Sequence, residues 1–240
     1  MTYLNYNGEK IPYRIVKTNR KTISIRVTGE GVIVRAPRVL NNTEIMELVQ
    51  KKSQWIIVKY HEIMETKPQS KNRDYKDGCQ LLFRGKPLTL KYKENKSGLK
   101  RNEARIWRED QILNVEINDC SIEVVKALLE QWYREQAREC IKERVAFYTT
   151  QYDFSKSVNR IFIKDQKSRW GSCSTKSNLN FSYRLIMAPS QVLDYVVVHE
   201  LCHLKYMNHS TQFWSAVERI LPNYKVAKDW LRKNGQTLYL

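Results

Sequence analysis

Three of the four histidines in this chain, His199, His203 and His209, fall within the eleven residues His-Glu-Leu-Cys-His-Leu-Lys-Tyr-Met-Asn-His. Residues four apart on an α-helix leave the same face one turn from each other, so His199 and His203 can reach one ion. Glu200, beside them, completes a His-Glu-x-x-His pattern, in which the carboxylate takes a proton from water activated by the metal. A zinc that keeps one position open for water needs three protein ligands, and His209, six residues beyond His203, supplies the third. A chain carrying this stretch must bury a helix that holds polar groups in its middle. One zinc ion per chain is therefore expected, on His199, His203 and His209, with Glu200 as the catalytic base.

The surrounding residues fit such a helix over about 191–206. Ser190 after Pro189 reads as its N-cap, Asp194 lies toward the positive end of the helix dipole, and Tyr195 to Val198 form an apolar run. A closed structural zinc site would ordinarily use four protein ligands and would have no use for Glu200. His61, far away in sequence, reads as a histidine on a helix surface. Cys202 is off the four-residue step that joins the two helical histidines and reads as core.

The five cysteines, Cys79, Cys120, Cys140, Cys173 and Cys202, are scattered without Cys-x-x-Cys spacing, so mostly buried free thiols are expected in place of a disulfide framework. No apolar stretch approaches the roughly 18 residues of a membrane span, and the polar start lacks a signal-peptide core. A cytoplasmic location without membrane contact is expected. The formal charge is +17, but it is spread: residues 151–240 carry 13 Lys and Arg against 6 Asp and Glu, and residues 1–150 carry 29 against 19. A field of that sign attracts nucleic acid or acidic proteins, and it is equally the mark of a solvated basic surface.

Along the chain, Ile23, Ile25 and Val27 alternate before Gly29-Glu30-Gly31, and Val32 to Val34 follow, which predicts a hairpin within 11–36. Apolar positions at helical spacing predict one helix over 43–65. A polar loop over 67–76 leads to a second hairpin around Gly85-Lys86, a turn over 93–101, and a strand pair at 105–108 and 112–117. No repeat is evident. Ser121 heads a long helix to about Tyr148, 158–164 and 179–183 read as strands, and helices are expected over 211–221 and 225–233 on either side of Pro222. The fold class is α+β. A β-rich N-terminal region with one helix over 1–118 precedes a catalytic region over 119–240 with a small mixed sheet and the metal-binding helix.

Several segments together carry a resemblance. They are Arg-Lys-Thr-Ile-Ser-Ile-Arg-Val (20–27), Lys-Ser-Arg-Trp-Gly-Ser-Cys-Ser (167–174), Tyr-Val-Val-Val-His-Glu-Leu-Cys-His-Leu (195–204), Asn208-His209-Ser210 and Phe213-Trp214. Through them the chain resembles, over about 10–235, the YgjP-like metallopeptidases, a metal-dependent hydrolase family of the zincin type related to the SprT-like proteases. The resemblance implies a zincin-like catalytic half that hydrolyses peptide bonds, with the ligands and base named above. The alternatives it leaves open are a basic nucleic-acid-associated protein that acts on DNA-bound proteins, and a hydrolase of non-peptide amides.

The His203 to His209 step equals that of the metzincins, but their turn glycine would fall at Tyr206 and no Met-turn is evident. Asn208, tolerant of a left-handed backbone, is expected to make the turn instead. Donors for an oxyanion or a substrate are Tyr206, Tyr183, Arg169 and Asn208. The strand at 179–183 is a candidate for pairing with an extended peptide. Arg169 and Trp170 either anchor the strand layer through a buried ion pair and aromatic packing or line the cleft. Cys173 is a further, weaker candidate ligand.

Overall fold

The structure is a computed structural model that describes residues 2–6, 8–65, 74–94, 100, 103–166 and 169–240. Most of the loop expected over 67–76 and of the turn over 93–101, with Lys167 and Ser168, lie outside the described residues. The chain forms two compact units, Met1–Pro68 and Gln69–Leu240. The fold is α+β.

In the first unit β1 (Thr2–Tyr6), β2 (Glu9–Thr18), β3 (Ser24–Thr28) and β4 (Gly31–Pro37) form a sheet of order β1-β2-β4-β3. Both hairpins are antiparallel, and β2 runs parallel to β4. Ile11, Val32, Val34 and Ala36 point from one face onto Ile45, Val49 and Ile56. These last belong to α1 (Asn42–Gln50) and α2 (Ser53–Glu65), two helices where the sequence predicts one. The chain breaks at Lys51 and Lys52, where an i to i−3 bond from the Lys52 amide to the Val49 carbonyl tightens the end of α1. Asn41 and Glu44 cap its start reciprocally.

The second unit begins with β5 (Gln80–Phe83), β6 (Lys86–Lys93), β7 (Ala104–Glu109) and β8 (Ile112–Ile117), in the order β5-β6-β8-β7 and with the same directions. The two sheets are thus one topology used twice, a repeat not visible in the sequence. The pair Leu4 and Ile11 corresponds to Leu81 and Leu88, and Tyr13 and Val32 to Leu90 and Leu113. Only the chemical class of these residues is kept, which is why the repeat escapes a reading by identity.

Behind the second sheet lies α3 (Ile122–Gln151), whose Leu129, Tyr133, Ala137 and Ile141 are fully buried. Next come β9 (Arg160–Lys164), β10 (Gly171–Cys173) and β11 (Asn178–Ser182), a 3-10 segment Tyr183–Met187, α4 (Ser190–Cys202), α5 (Thr211–Ile220) and α6 (Tyr224–Asn234). The small sheet has the order β10-β11-β9, mixed in direction. Helix α4 is the hub, buried on Val192, Leu193, Val196, Val197 and Leu201 between α3, α5, α6 and β10. Its start differs from expectation: Pro189 occupies the N-cap position without a side-chain cap. Asp194 serves α4 through an ion pair, accepting from Arg144 Nε at 2.6 Å and Nη2 at 3.0 Å.

The β5–β6 hairpin explains why the second sheet belongs with the catalytic helix. Arg84 and Gly85 form its two-residue turn with φ of +50° and +76°, the geometry that suits a twisted hairpin. Their amides donate to the carbonyls of Ile186 and Met187 at 2.8 and 2.9 Å, just before Pro189. A Cβ on Gly85 would stand 2.8 Å from the Pro189 ring, so glycine is required there. Leu81, Leu88, Leu90, Leu113 and Val115 accordingly share one core with α3 and α4. The division expected at 118/119 falls inside the second unit, and the compact units divide at Pro68/Gln69 instead. A piece spanning 69–240 should therefore melt cooperatively in circular dichroism, whereas one spanning 119–240, stripped of those five residues, should show no cooperative transition.

Candidate metal centre

Helix α4 ends at Cys202, earlier than the sequence predicts, and His203 is its C-cap with φ −68° and ψ −16°. That is still right-handed helical backbone, so His199 and His203 keep the one-turn relation. Beyond it the chain bends back: the Tyr206 amide donates to the Cys202 carbonyl at 2.9 Å. Asn208 is not among the residues with positive φ, so the return of His209 uses ordinary backbone and not the left-handed turn expected there. Ser210 then caps α5 by accepting from the Phe213 amide at 3.3 Å, which fixes where His209 stands.

The three imidazoles form a nearly equilateral triangle. Ring centres are 4.9 Å apart for His199 and His203, 5.0 Å for His199 and His209, and 4.8 Å for His203 and His209. One nitrogen from each lies within 4.8 Å of the others. Phe213 packs against all three rings at 4.5 to 4.9 Å. Trp214 stacks on His209 at 5.6 Å, Tyr224 stacks on Trp214, and Tyr195 on Tyr224, so an aromatic column runs from His209 back to α4. Neither Phe213 nor Trp214 was assigned to the site from sequence, although their spacing after His209 is the signal that carries them.

The donor set suits a metal ion. His203 Nδ1 lies 2.8 Å from the Tyr206 carbonyl, which can only accept, so Nδ1 carries the proton and Nε2 keeps its lone pair. The Nε2 atoms of His199 and His209 face each other at 3.0 Å, two ring nitrogens converging on one point. Burial, aided by His203 and His209 alongside, pulls the His199 pKa down to about 3, and burial likewise lowers that of His203. Neutral imidazole is the form that binds metals.

Glu200 is buried, with 4% of its surface exposed, and its Oε2 has no hydrogen-bond partner among the described residues. Burial raises its pKa to about 8, opposed by the charge of Arg169. Gly171 of β10 closes over it, since a Cβ there would stand 2.6 Å from Glu200 Cγ and Oε1. An isolated strand glycine is the sequence signal for such a close approach.

The other sequence candidates separate. Tyr183 is wholly buried, with the Arg134 guanidinium 4.5 Å from its ring centre, and stands in the core. Tyr206 is half-buried in the ligand turn, and Asn208 and Arg169 are exposed. Arg169 therefore makes no buried ion pair; the largely buried pair nearby is Arg184 with Asp165, 2.8 Å apart. Trp170 is structural. Its carbonyl accepts from the Ser182 amide, and its ring fills the space beside Gly235. Cys173 is half-buried, its pKa raised to about 11 by burial and then by Glu200. Of the five free cysteines only Cys140 and Cys202 are buried, fewer than expected. His61 lies on α2, with Nε2 2.7 Å from Glu9 Oε2.

The model of the YgjP-like metallopeptidase domain matches residues 21–234. The chain belongs to this family. YgjP-like proteins are thereby placed among the metallopeptidases, hydrolases that work with a bound metal, and the histidine triangle of this YgjP-like chain is where such an ion fits. One similar solved structure is the crystal structure of the metallopeptidase zymogen of Pyrococcus abyssi abylysin, 22% identical, covering 42% of this chain and 94% of that chain at a TM-score of 0.33. That degree of likeness carries no argument here. No curated protein matches the YgjP-like chain.

In the metal-free protein the Glu200 carboxyl should leave a mark on stability. Its folded pKa of about 8 stands above the ordinary 4.5, so its contribution is complete below pH 4.5 and is lost as pH rises through 8. Between pH 5 and 8 chelated wild type should lose stability relative to Glu200→Gln in urea melts; parallel pH profiles for the two would refute this assignment.

Proposed function

We propose that this protein is a zinc-dependent peptidase in which His199, His203 and His209 hold the ion and Glu200 is the general base. The observation that carries the reading is the conjunction of three converging imidazole nitrogens with a buried, unpartnered carboxylate on the same helix. Three neutral nitrogen ligands with a position left open form the donor set of a catalytic zinc, and a structural site would close it with a fourth. Zinc bound there supplies Lewis acidity, lowering the pKa of water and polarising a carbonyl.

The rest is the work of the chain's own residues. Glu200 Oε2 takes a proton from the attacking water and returns it to the leaving amine nitrogen. Gly171 and the surrounding apolar side chains hold that carboxylate in one place and exclude bulk water. Arg169, exposed and close enough for its charge to oppose the rise in the Glu200 pKa, is the proposed donor to the developing oxyanion, with Tyr206 and Asn208 alongside.

The peptide is proposed to pair with β10. The sequence pointed to 179–183, but β11 is the central strand, hydrogen-bonded on both sides by β10 and β9, and has no edge to offer. β10 is an edge strand packed beside α4, and it carries Gly171. Main-chain pairing there would lay a peptide along the ligand helix. Five free thiols accord with a reducing, cytoplasmic setting, and among the described residues no helix is long and apolar enough to cross a membrane.

Elemental analysis combined with cleavage of a denatured protein tests the reading. Wild type and Glu200→Gln should each bind one zinc, and the variant should lose at least about 100-fold in kcat. Failure of the reconstituted wild type to hold zinc would end the proposal. Gly171→Ala should keep its zinc and lose on the order of 100-fold in kcat because its methyl group displaces Glu200. Unchanged turnover would remove Gly171 from this role.

A further inference from the structure

The two sheets of like topology differ in what they place on the face turned away from their own core. In the first unit that face carries Lys10, Arg14, Arg26 and Arg35, all exposed, and no acidic residue among those described. Arg14 on β2 and Arg26 on β3 both stand opposite Ile33 of β4, and Arg35 follows two residues along β4. With strands about 4.8 Å apart and about 3.4 Å per residue, the three guanidinium stems rise within about 10 Å of one another. Arg20 joins them at the β3 end, donating to Ser24 at 2.6 Å while its Nε is buried without a partner among the described residues. Like charges gathered on one sheet face repel, so the fold gains nothing from them.

The second sheet is an internal control. Lys91, Asn114, Trp107 and Glu116 occupy the positions of Arg14, Ile33, Arg26 and Arg35. There the charges are neutralised. Lys91 pairs with Asp77 at 2.9 Å, Trp107 and Asn114 both donate to Glu109, and Glu116 is buried where Arg35 is exposed. The topology therefore does not require a cationic face.

We propose that the outer face of the β1-β2-β4-β3 sheet binds the phosphate backbone of a single-stranded nucleic acid. Guanidinium groups match phosphate oxygens in pairs, which favours arginine over lysine for this task. Between the arginines Val16 and Ile33 offer apolar contact, and Tyr3, 48% exposed, presents a ring at the β1 edge on which a base can stack. This surface belongs to the first unit and the histidine triangle to the second.

The test uses the whole 240-residue chain and a fluorescein-labelled DNA strand of about 20 nucleotides, followed by anisotropy at about 50 and 200 mM salt. Binding should weaken steeply with salt. The triple variant R14A/R26A/R35A should bind at least about tenfold more weakly at low salt, with a log–log salt slope shallower by about 2, since each phosphate neutralised in a single strand contributes about 0.7. The triple R14K/R26K/R35K should retain most of the binding, which separates lost charge from lost fold. A charge-matched triple on exposed positions of α3, K126A/R138A/K142A, should leave the affinity within about twofold of wild type. Absence of salt-dependent binding by wild type, or equal weakening by both alanine triples, would overturn the proposal. Competition by polyglutamate as effective as by unlabelled DNA would overturn it in favour of an acidic polypeptide partner.

Discussion

Everything in the second unit answers to the cost of carrying two imidazoles and a carboxylate into an apolar interior on one helix. Desolvation is the largest cause that pulls the His199 pKa to about 3 and lifts that of Glu200 to about 8, the directions in which burial disfavours charge. Such groups are tolerated where their surroundings are rigid and their number is fixed by a task. Helix α4 is accordingly held from several sides. The β5–β6 hairpin ties down the segment before its start, the Arg144–Asp194 pair ties its first turns to α3, and Phe213 wedges against the histidines at its end.

This rigidity also gives the second sheet its place in the protein. Had β5 to β8 formed a separate layer, the 3-10 segment that leads into α4 would lose its brace, and the backbone before Pro189 would present free carbonyls. The pairing of the Arg84 and Gly85 amides with Ile186 and Met187 satisfies those carbonyls and fixes the entry angle of the helix in the same contact. The site is thus braced by a sheet whose sequence lies some hundred residues upstream, a long-range dependence that fragments of the chain cannot reproduce.

The clustering of His199, His203 and His209 was legible because the helical period and a rare residue type coincide in one short stretch. Most elements were legible from periodicity: the long helix α3, the hairpin β3–β4 and the helices α5 and α6 stand close to where alternation and helical spacing place them. What escaped had local causes. The break between α1 and α2 occurs at two lysines, with no glycine or proline to mark it. β10 is three residues long, inside a motif whose tryptophan and glycine draw attention to themselves and away from the backbone. The doubled sheet keeps only the class of its inward residues, while its outward residues diverge as far as Arg35 against Glu116. The turn to His209 closes without a left-handed residue, so Asn208 misled through its propensity.

The three histidines are not equals, and this bears on how an ion would be held. His199 and His203 sit at the end of a buried helix, one of them fastened by the Tyr206 carbonyl, whereas His209 is exposed and rides on the chain between two helices. Its position depends on the stacked Trp214 ring and on the Ser210 cap. An ion held here would rest on two anchored histidines and one latched histidine. Of the three histidines, His209 is thus the one whose place depends on a neighbouring ring and not on the helix that carries the motif, so the indole of Trp214 is as much a part of the site's frame as α4 is.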